Sequence, residues 1–273
     1  MFHPDAPRST TRTFFGMAEL VYHSIVREIR KSHRNALVGL MLNMLQTVML
    51  VMTFYLMFSI LGMRGSAIRG DFMIYIMSGI FLYMCHTKTV GAVTGAEGPA
   101  SAMMQHAPMN TALSVLAAAL SALCLRLLSL VVVLFLFHII ITPVYIDNMI
   151  GALFMLIAAW FSGFAVGMIF FAIRPWAPEF AKIGSSIYSR ISMIASGKMF
   201  VANSLPSSML VMFDWNPLFH AIDQGRGYIF LHYNPHFSSS IYPFVVAIGL
   251  LMLGLMGEFY TRKAASASWS AGQ

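Results

Sequence analysis

Six stretches of this chain are long and apolar enough to be read as membrane crossings, and that decides what it can fold into. They are residues 36–63, 72–89, 112–141, 149–173, 180–203 and 241–260. A crossing helix needs about 20 mostly apolar residues, and only helices and closed barrels satisfy every backbone polar group in lipid. Of the 273 residues, 58% are hydrophobic and 10% charged, against roughly 25% charged in an ordinary soluble domain. The reading is an all-α integral membrane protein with six transmembrane helices. The fifth run is the weakest of the six, because serines and charges interrupt it.

Residues 14–31 read differently. Phe14, Met17, Val21, Ile25 and Ile29 recur at helical spacing, while Glu19, His23, Arg27, Arg30, Lys31 and Arg34 take the other side. A basic face opposite an aromatic-aliphatic one suits a helix lying in the membrane interface. The layout is therefore a tail and interfacial amphipathic helix over 1–35, a membrane domain over 36–260 and a second tail over 261–273.

Basic residues orient the chain. With the amino terminus inside, Arg8, Arg12, Arg27, Arg30, Lys31, Arg34, Lys88, Arg174, Lys182, Arg262 and Lys263 fall on the inner side, and Arg64, Arg69 and Arg226 on the outer. That asymmetry predicts both termini in the cytoplasm. The net charge of +7 is read as topology, not as a nucleic-acid surface. Cys85 and Cys124 both fall in apolar runs, so neither a disulfide framework nor a zinc site is expected. His232 and His236 have helical spacing, but Pro235 between them breaks that geometry.

Between the last two runs lies Asp214-Trp215-Asn216-Pro217-Leu218-Phe219-His220, continuing to Arg226. It is too polar and broken to span, yet rich in apolar rings. Asn-Pro starts a turn, and Pro217 at a first helical position would open a short helix that Gly225 and Gly227 would end early. Two short helical pieces dipping into the membrane boundary would need protein or a water-filled cavity to cover their ends. The alternative is an amphipathic loop resting on the surface. On the inner side, Gly98-Pro99 would open a short helix in the loop 90–111 and Pro108 would stop it.

Charges inside the runs narrow the chemistry. Arg126 lies in the third and Arg190 in the fifth, where Ser185, Ser189, Ser192 and Ser196 form one side. An arginine at mid-membrane turns toward protein or water. The serine stripe either lines a polar path or permits close helix packing. Ala159, Gly163 and Gly167 in the fourth run read as a packing face.

Three pieces together resemble a known family. They are Arg27-Glu28-Ile29-Arg30-Lys31 with Leu37-Val38-Gly39-Leu40, then Ser78-Gly79-Ile80-Phe81-Leu82-Tyr83 leading to Glu97-Gly98, and then Trp215-Asn216-Pro217-Leu218-Phe219-His220 with Arg226. The chain is similar to the membrane subunit of type-2 ABC exporters, in the branch that exports capsular polysaccharide and O-antigen. It departs from that pattern at Val38-Gly39-Leu40-Met41-Leu42, which lacks the Trp and Pro common there, and at Gln105-His106-Ala107-Pro108, where basic residues are usual.

The resemblance implies a homodimeric permease in the bacterial inner membrane, with two separate ATPase subunits beneath it that carry the ATP and Mg. No cofactor is expected on this chain itself. Coupling to the ATPase would involve Arg27, Arg30 and Lys31 of the interfacial helix, and Glu97, Gly98, Pro99, Met103 and Met104 of a cytoplasmic coupling helix. Re-entrant gate helices on the periplasmic side would carry Trp215, Asn216, Pro217, Leu218 and Arg226. A lipid-linked polysaccharide would pass between two protomers over a polar and aromatic surface, to which Phe81, Tyr83 and the serine stripe with Arg190 would contribute. Periplasmic export proteins are a further partner class, and nucleic acid is not one.

Two other readings compete: a membrane enzyme of lipid-linked glycan synthesis, and the permease of an exporter with a different cargo. The enzyme would need clustered acids, and no Asp-Asp or Asp-x-Asp pair occurs. No phosphate-binding loop is present either, since Gly197-Lys198 is followed by Met199. An ion-coupled carrier would call for a mid-span acid, and Glu258 sits near a run's end.

The basic asymmetry generates a test. Reporter fusions within 90–111 and after Lys263 should read cytoplasmic, and fusions near Arg69, Asp147 and Asn234 external. A cytoplasmic reading at Asn234 would overturn the six-crossing layout.

Overall fold

The computed structural model describes residues 10–32, 36–60, 62, 68, 70–98 and 111–270. Backbone groups in an apolar run find partners only in one another, so each run closes into helix. The described residues hold nine α-helices and no strand. In order they are α1 Thr10–Ser32, α2 Ala36–Ile60, α3 Phe72–Thr94, α4 Thr111–Ile140, α5 Met149–Ile173, α6 Pro178–Ala195, α7 Ser207–Leu210, α8 Pro217–Ile229 and α9 Tyr242–Ser270.

Four of these are long and apolar enough to cross a membrane by length and composition: Met41–Ile60 within α2, then α4, α5, and Tyr242–Lys263 within α9. Their outward faces are apolar. Leu128, Val131, Phe135 and Ile139 of α4 are exposed, as are Val245, Ile248, Met252 and Met256 of α9. In water such faces would be a liability; in lipid they are the solvated surface.

The polar side chains turn inward, and most sit on or against α3. Ser78, His86, Thr89 and Thr94 are all buried. This helix packs against α2, α4, α5, α6 and α8 and runs through the centre of the bundle. Its amino-terminal half joins a cluster with Val51, Phe54, Phe58 and Val133. Its middle meets Met155, Ala158, Ala159, Leu218 and Ile222, and its carboxyl end packs with Val115, Ala118, Met168 and Phe171. Asp71 starts it, accepting from the Met73 N–H at 2.7 Å. His86 sets its rotation: Nδ1 lies 3.1 Å from the Ala159 carbonyl and 2.9 Å from Ser162 Oγ, and Nε2 lies 2.8 Å from the Tyr188 hydroxyl. One ring thus joins α3, α5 and α6.

Three boundaries differ from the sequence reading. The second run stays helical to Thr94 instead of stopping at residue 89. The fifth stops at Ala195 instead of reaching 203, because Gly197 takes a left-handed φ of 71° and turns the chain out of helix. The last helix runs on to Ser270, through most of the expected tail 261–273, and Thr261 accepts from Trp176 Nε1 at 2.9 Å.

The amphipathic α1 forms as expected and packs against α4. Ser24 is buried there, Leu20 and Tyr22 are exposed, and Arg30 is exposed with Arg27 half-buried.

The expected Gly163 packing face is present. A Cβ at Gly163 would stand 2.5 Å from the His86 carbonyl oxygen, which is backbone and cannot step aside. Gly163→Val should therefore force α3 and α5 apart, at about 1–3 kcal/mol for overpacking. The measurement is a thermal unfolding midpoint in detergent, and an unchanged midpoint would contradict this helix contact.

Candidate functional site

The site begins where α6 fails. A helix end leaves carbonyls without partners, and α6 ends inside the bundle, next to the turn at Gly197. The donors come from the segment that follows. Asn216 donates from Nδ2 to the Ala195 carbonyl at 3.0 Å. Arg226 donates from Nη1 to Gly197 O at 2.9 Å and Phe200 O at 2.6 Å, and from Nη2 to Lys198 O at 2.6 Å. Its guanidinium carbon lies 4.2 Å over the Tyr75 ring, and the side chain is 1% exposed, so none of these bonds competes with water. Gly79 of α3 leaves the space for it, since a Cβ there would come within 2.9 Å of Nη2.

Helix α8 carries both donors because its start is well specified. Asn216 accepts the Leu218 N–H at 3.0 Å, and Pro217 follows at the first helical position. Contrary to the sequence reading, Gly225 and Gly227 do not end it; the helix runs to Ile229. Both lie where neighbours crowd the backbone: a Cβ on Gly225 would meet Leu82 at 3.2 Å, and one on Gly227 would meet Pro235 at 2.7 Å. Nine of its residues are buried, so the alternative of a loop resting on the surface does not describe it.

Helix α8 runs antiparallel to the first half of α5. Tyr228 packs on Gly151, Gly225 near Met155, and Leu218 and Ile222 among Ala158 and Ala159. The Asn148 N–H donates to Tyr228 O at 2.8 Å, joining the start of α5 to the end of α8. Thirteen residues make a helix of roughly 20 Å, short of the ~30 Å hydrocarbon thickness.

The link back to α9 is tied to α8. Asp223 accepts from Tyr233 Oη and from Ser238 Oγ, and Gln224 donates to Ser238 O at 2.8 Å. Burial, and then the Asp223 carboxylate beside it, hold the Tyr233 phenol well above its ordinary range, so it stays a donor. Trp215 faces outward, 58% exposed, while its carbonyl accepts from the Tyr242 hydroxyl.

The expected path residues separate into two groups. Tyr83 borders a half-open groove between α2, α3 and α6, of about 740 Å³, with Asn43, Gln46, Thr53, Thr87, Lys88 and Met193. Phe81 points elsewhere, into an apolar cavity of about 340 Å³ between α3, α4 and α5. The serine stripe divides: Ser192 and Ser196 are buried, Ser189 is half-buried with its carbonyl accepting from Tyr83 Oη at 3.1 Å, and Ser185 is half-buried at the edge of a second open groove with Arg174, Glu179 and Lys182. Arg190 is exposed on the outward side with Ile187 and Ile191.

At the carboxyl end of α3, Arg174 donates to Thr94 O at 3.2 Å and Ala96 O at 2.8 Å, clasping that helix just before the loop. The Glu97 N–H donates to Ser114 Oγ at 3.2 Å, and Gly98 lies near Phe171. Pro99, Met103, Met104 and the Lys31 side chain lie outside the described residues.

Three polar anchors were not singled out as such from sequence. His86 is one; its signal was a lone histidine inside an apolar run. Arg174 was counted only for topology. The partners of Arg126 were the third: it is buried, donating to Asn43 Oδ1 and lying 3.4 Å from Thr47 Oγ1. No family model and no curated protein sequence matches this chain.

Replacing Arg226 with Met would leave the Lys198 and Phe200 carbonyls without this donor, while Gly197 O keeps the Phe200 N–H at 3.3 Å. At ~1.5 kcal/mol for each of the two uncovered carbonyls, the loss should reach about 3 kcal/mol. Arg226→Lys should recover only part of it, because an ammonium lacks the planar fork. A thermal midpoint for Arg226→Met equal to wild type would refute the anchoring role.

Proposed function

We propose that this chain is the membrane subunit of an ATP-driven exporter. It works as a homodimer with two separate ATPase subunits and moves a polysaccharide of the capsular or O-antigen type across the bacterial inner membrane. The observation that carries the reading is α8, a buried helix shorter than the membrane, pinned through Asn216 and Arg226 to a break in α6. A half-depth helix whose broken neighbour is capped by buried side chains is the arrangement a gate requires, because irregular backbone at that depth must be covered.

In this reading the membrane is crossed six times. Helix α3, with 23 residues, is roughly 34 Å long. It is more polar than the four apolar helices because protein surrounds it. Helix α6, with 18 residues, is roughly 27 Å long, and α8 re-enters from the outer side. Both termini lie in the cytoplasm, where α1 and the loop after Glu97 meet the ATPase. The Arg174 clasp supports the coupling role, since a load on that loop passes directly into α3 and α5.

A crosslinker placed at Ala102, in cells producing surface polymer, should capture an ATPase subunit. Glu97→Lys should insert normally yet lower export at least tenfold, and Pro217→Leu should do the same through the gate. Absence of any ATPase capture, with export intact in both variants, would overturn the exporter reading.

A further inference from the structure

The apolar cavity that receives Phe81 is a slot with its floor in protein and its rim in lipid. On the floor, Phe81 and Leu82 of α3 and Leu156 of α5 are 3–5% exposed. On the rim, Val131 of α4 and Met149 and Leu153 of α5 are 41–62% exposed, on the outward faces of two apolar helices long enough to cross a membrane. From Ile74 to Leu82 the slot follows α3 for roughly 12 Å.

Water does not suit this space. A buried water takes about three hydrogen bonds from polar neighbours. Among the described residues the lining side chains offer one hydroxyl, Ser78 Oγ, whose proton already goes to the Tyr75 carbonyl at 2.8 Å. An unfilled slot is unfavourable too, because its lining side chains then lack contacts on one side. An apolar cavity of ~150 Å³ stays dry and takes up benzene. At about 340 Å³, this one has room for a chain of about a dozen carbons.

One end of the slot is different. Leu134, Val144, Ile146 and Met149 belong both to it and to a more open hollow of about 520 Å³ at the α4–α5 turn, where His138 and Tyr145 stand. His138 is in the last turn of α4, just before the apolar run gives way to Thr142, Asp147 and Asn148. Its Nδ1 accepts the Val144 N–H at 3.0 Å, so the neutral ring carries its proton on Nε2, which is a donor. Tyr145 is exposed. A slot closed by apolar side chains at one end and met by two polar rings at the other fits a hydrocarbon chain with a polar head.

We infer that the slot holds one acyl chain of a bilayer phospholipid, its methyl end against Phe81 and Leu82 and its ester end beside His138 and Tyr145. The occupant belongs to the surrounding bilayer and is not the cargo, so the site is independent of the exporter reading. The chain completes the packing between α3, α4 and α5 and touches Ile229 at the end of α8. The head stays at the turn, where Nε2–H of His138 donates to an ester oxygen, because no charged side chain lines the slot among the described residues.

The test uses the purified full chain in nanodiscs of phosphatidylcholine that carries a diazirine near the methyl end of one acyl chain. After illumination, mass spectrometry maps the labelled residues. Label should appear on Phe81 or Leu156, which lipid around the bundle does not reach, as well as on the outward Met252 and Met256 of α9. Ala152→Phe, which fills the slot, should cut the floor label at least tenfold and leave the α9 label unchanged. His138→Leu should lower the floor label severalfold, and His138→Gln, which keeps an N–H donor, should retain it. The wild-type map decides even where Ala152→Phe fails to fold: label confined to α9 and other outward faces would overturn the site. Floor label that a folded Ala152→Phe leaves unchanged would overturn it too, and floor label indifferent to His138→Leu would overturn the placement of the ester end. Floor label from a diazirine-bearing polyprenyl phosphate but not from phosphatidylcholine would overturn the phospholipid occupant.

Discussion

One guanidinium holds α8 to the broken end of α6. Arg226 gathers the carbonyls of Gly197, Lys198 and Phe200 in the turn that follows the broken helix; of these, Gly197 O also accepts from the Phe200 N–H at 3.3 Å. In water those oxygens would be solvated at little cost. Inside a bundle set in lipid they need a donor that reaches three directions at once, and a planar fork of N–H groups does this where a lysine cannot. Tyr75 packs on one face of it and Gly79 leaves it room. The break in α6, the short α8 and the central α3 are therefore one arrangement.

The bundle around it follows from an exchanged solvent. Apolar residues face outward on α4 and α9, while most of the hydroxyls and the His86, Arg126 and Arg226 side chains sit within, close to a carbonyl or a second polar side chain. His86 between Ala159, Ser162 and Tyr188, and Arg126 on Asn43 and Thr47, are the two clearest cases. Such contacts give direction to helices that apolar packing alone would let rotate, because lipid and side chain are equally apolar. Close approach of α3 to α5 at Gly163 does the rest.

Much of this was legible in the sequence, and the failures have a common cause. Hydropathy marked every long helix. The Asn216-Pro217 pair marked the start of α8, since both residues act locally: one caps, the other presets a dihedral. Arg226 was visible as a cation between two glycines in the polar stretch before the last run. Its acceptors were not, because the break lay hidden inside an apolar run where Gly197 looked like one more small residue. Gly225 and Gly227 misled for the converse reason: they read as stops, yet Leu82, Met155 and Pro235 crowd them into helix. The serine stripe was seen, but only the packed bundle tells which side of α6 meets protein. Phe81 and Tyr83, two residues apart on one helix, necessarily face different neighbours.

The connection between Arg226 and its acceptors also sets a clock on biosynthesis. The three carbonyls lie 26 to 29 residues upstream of the side chain that covers them. At ~5–20 residues per second, a ribosome needs a few seconds to make that stretch. During those seconds α6 has an unfinished end, and the amino end of α5 waits for Tyr228 and Ile229 in the same way. The nascent chain thus carries this uncovered turn until that single arginine is added.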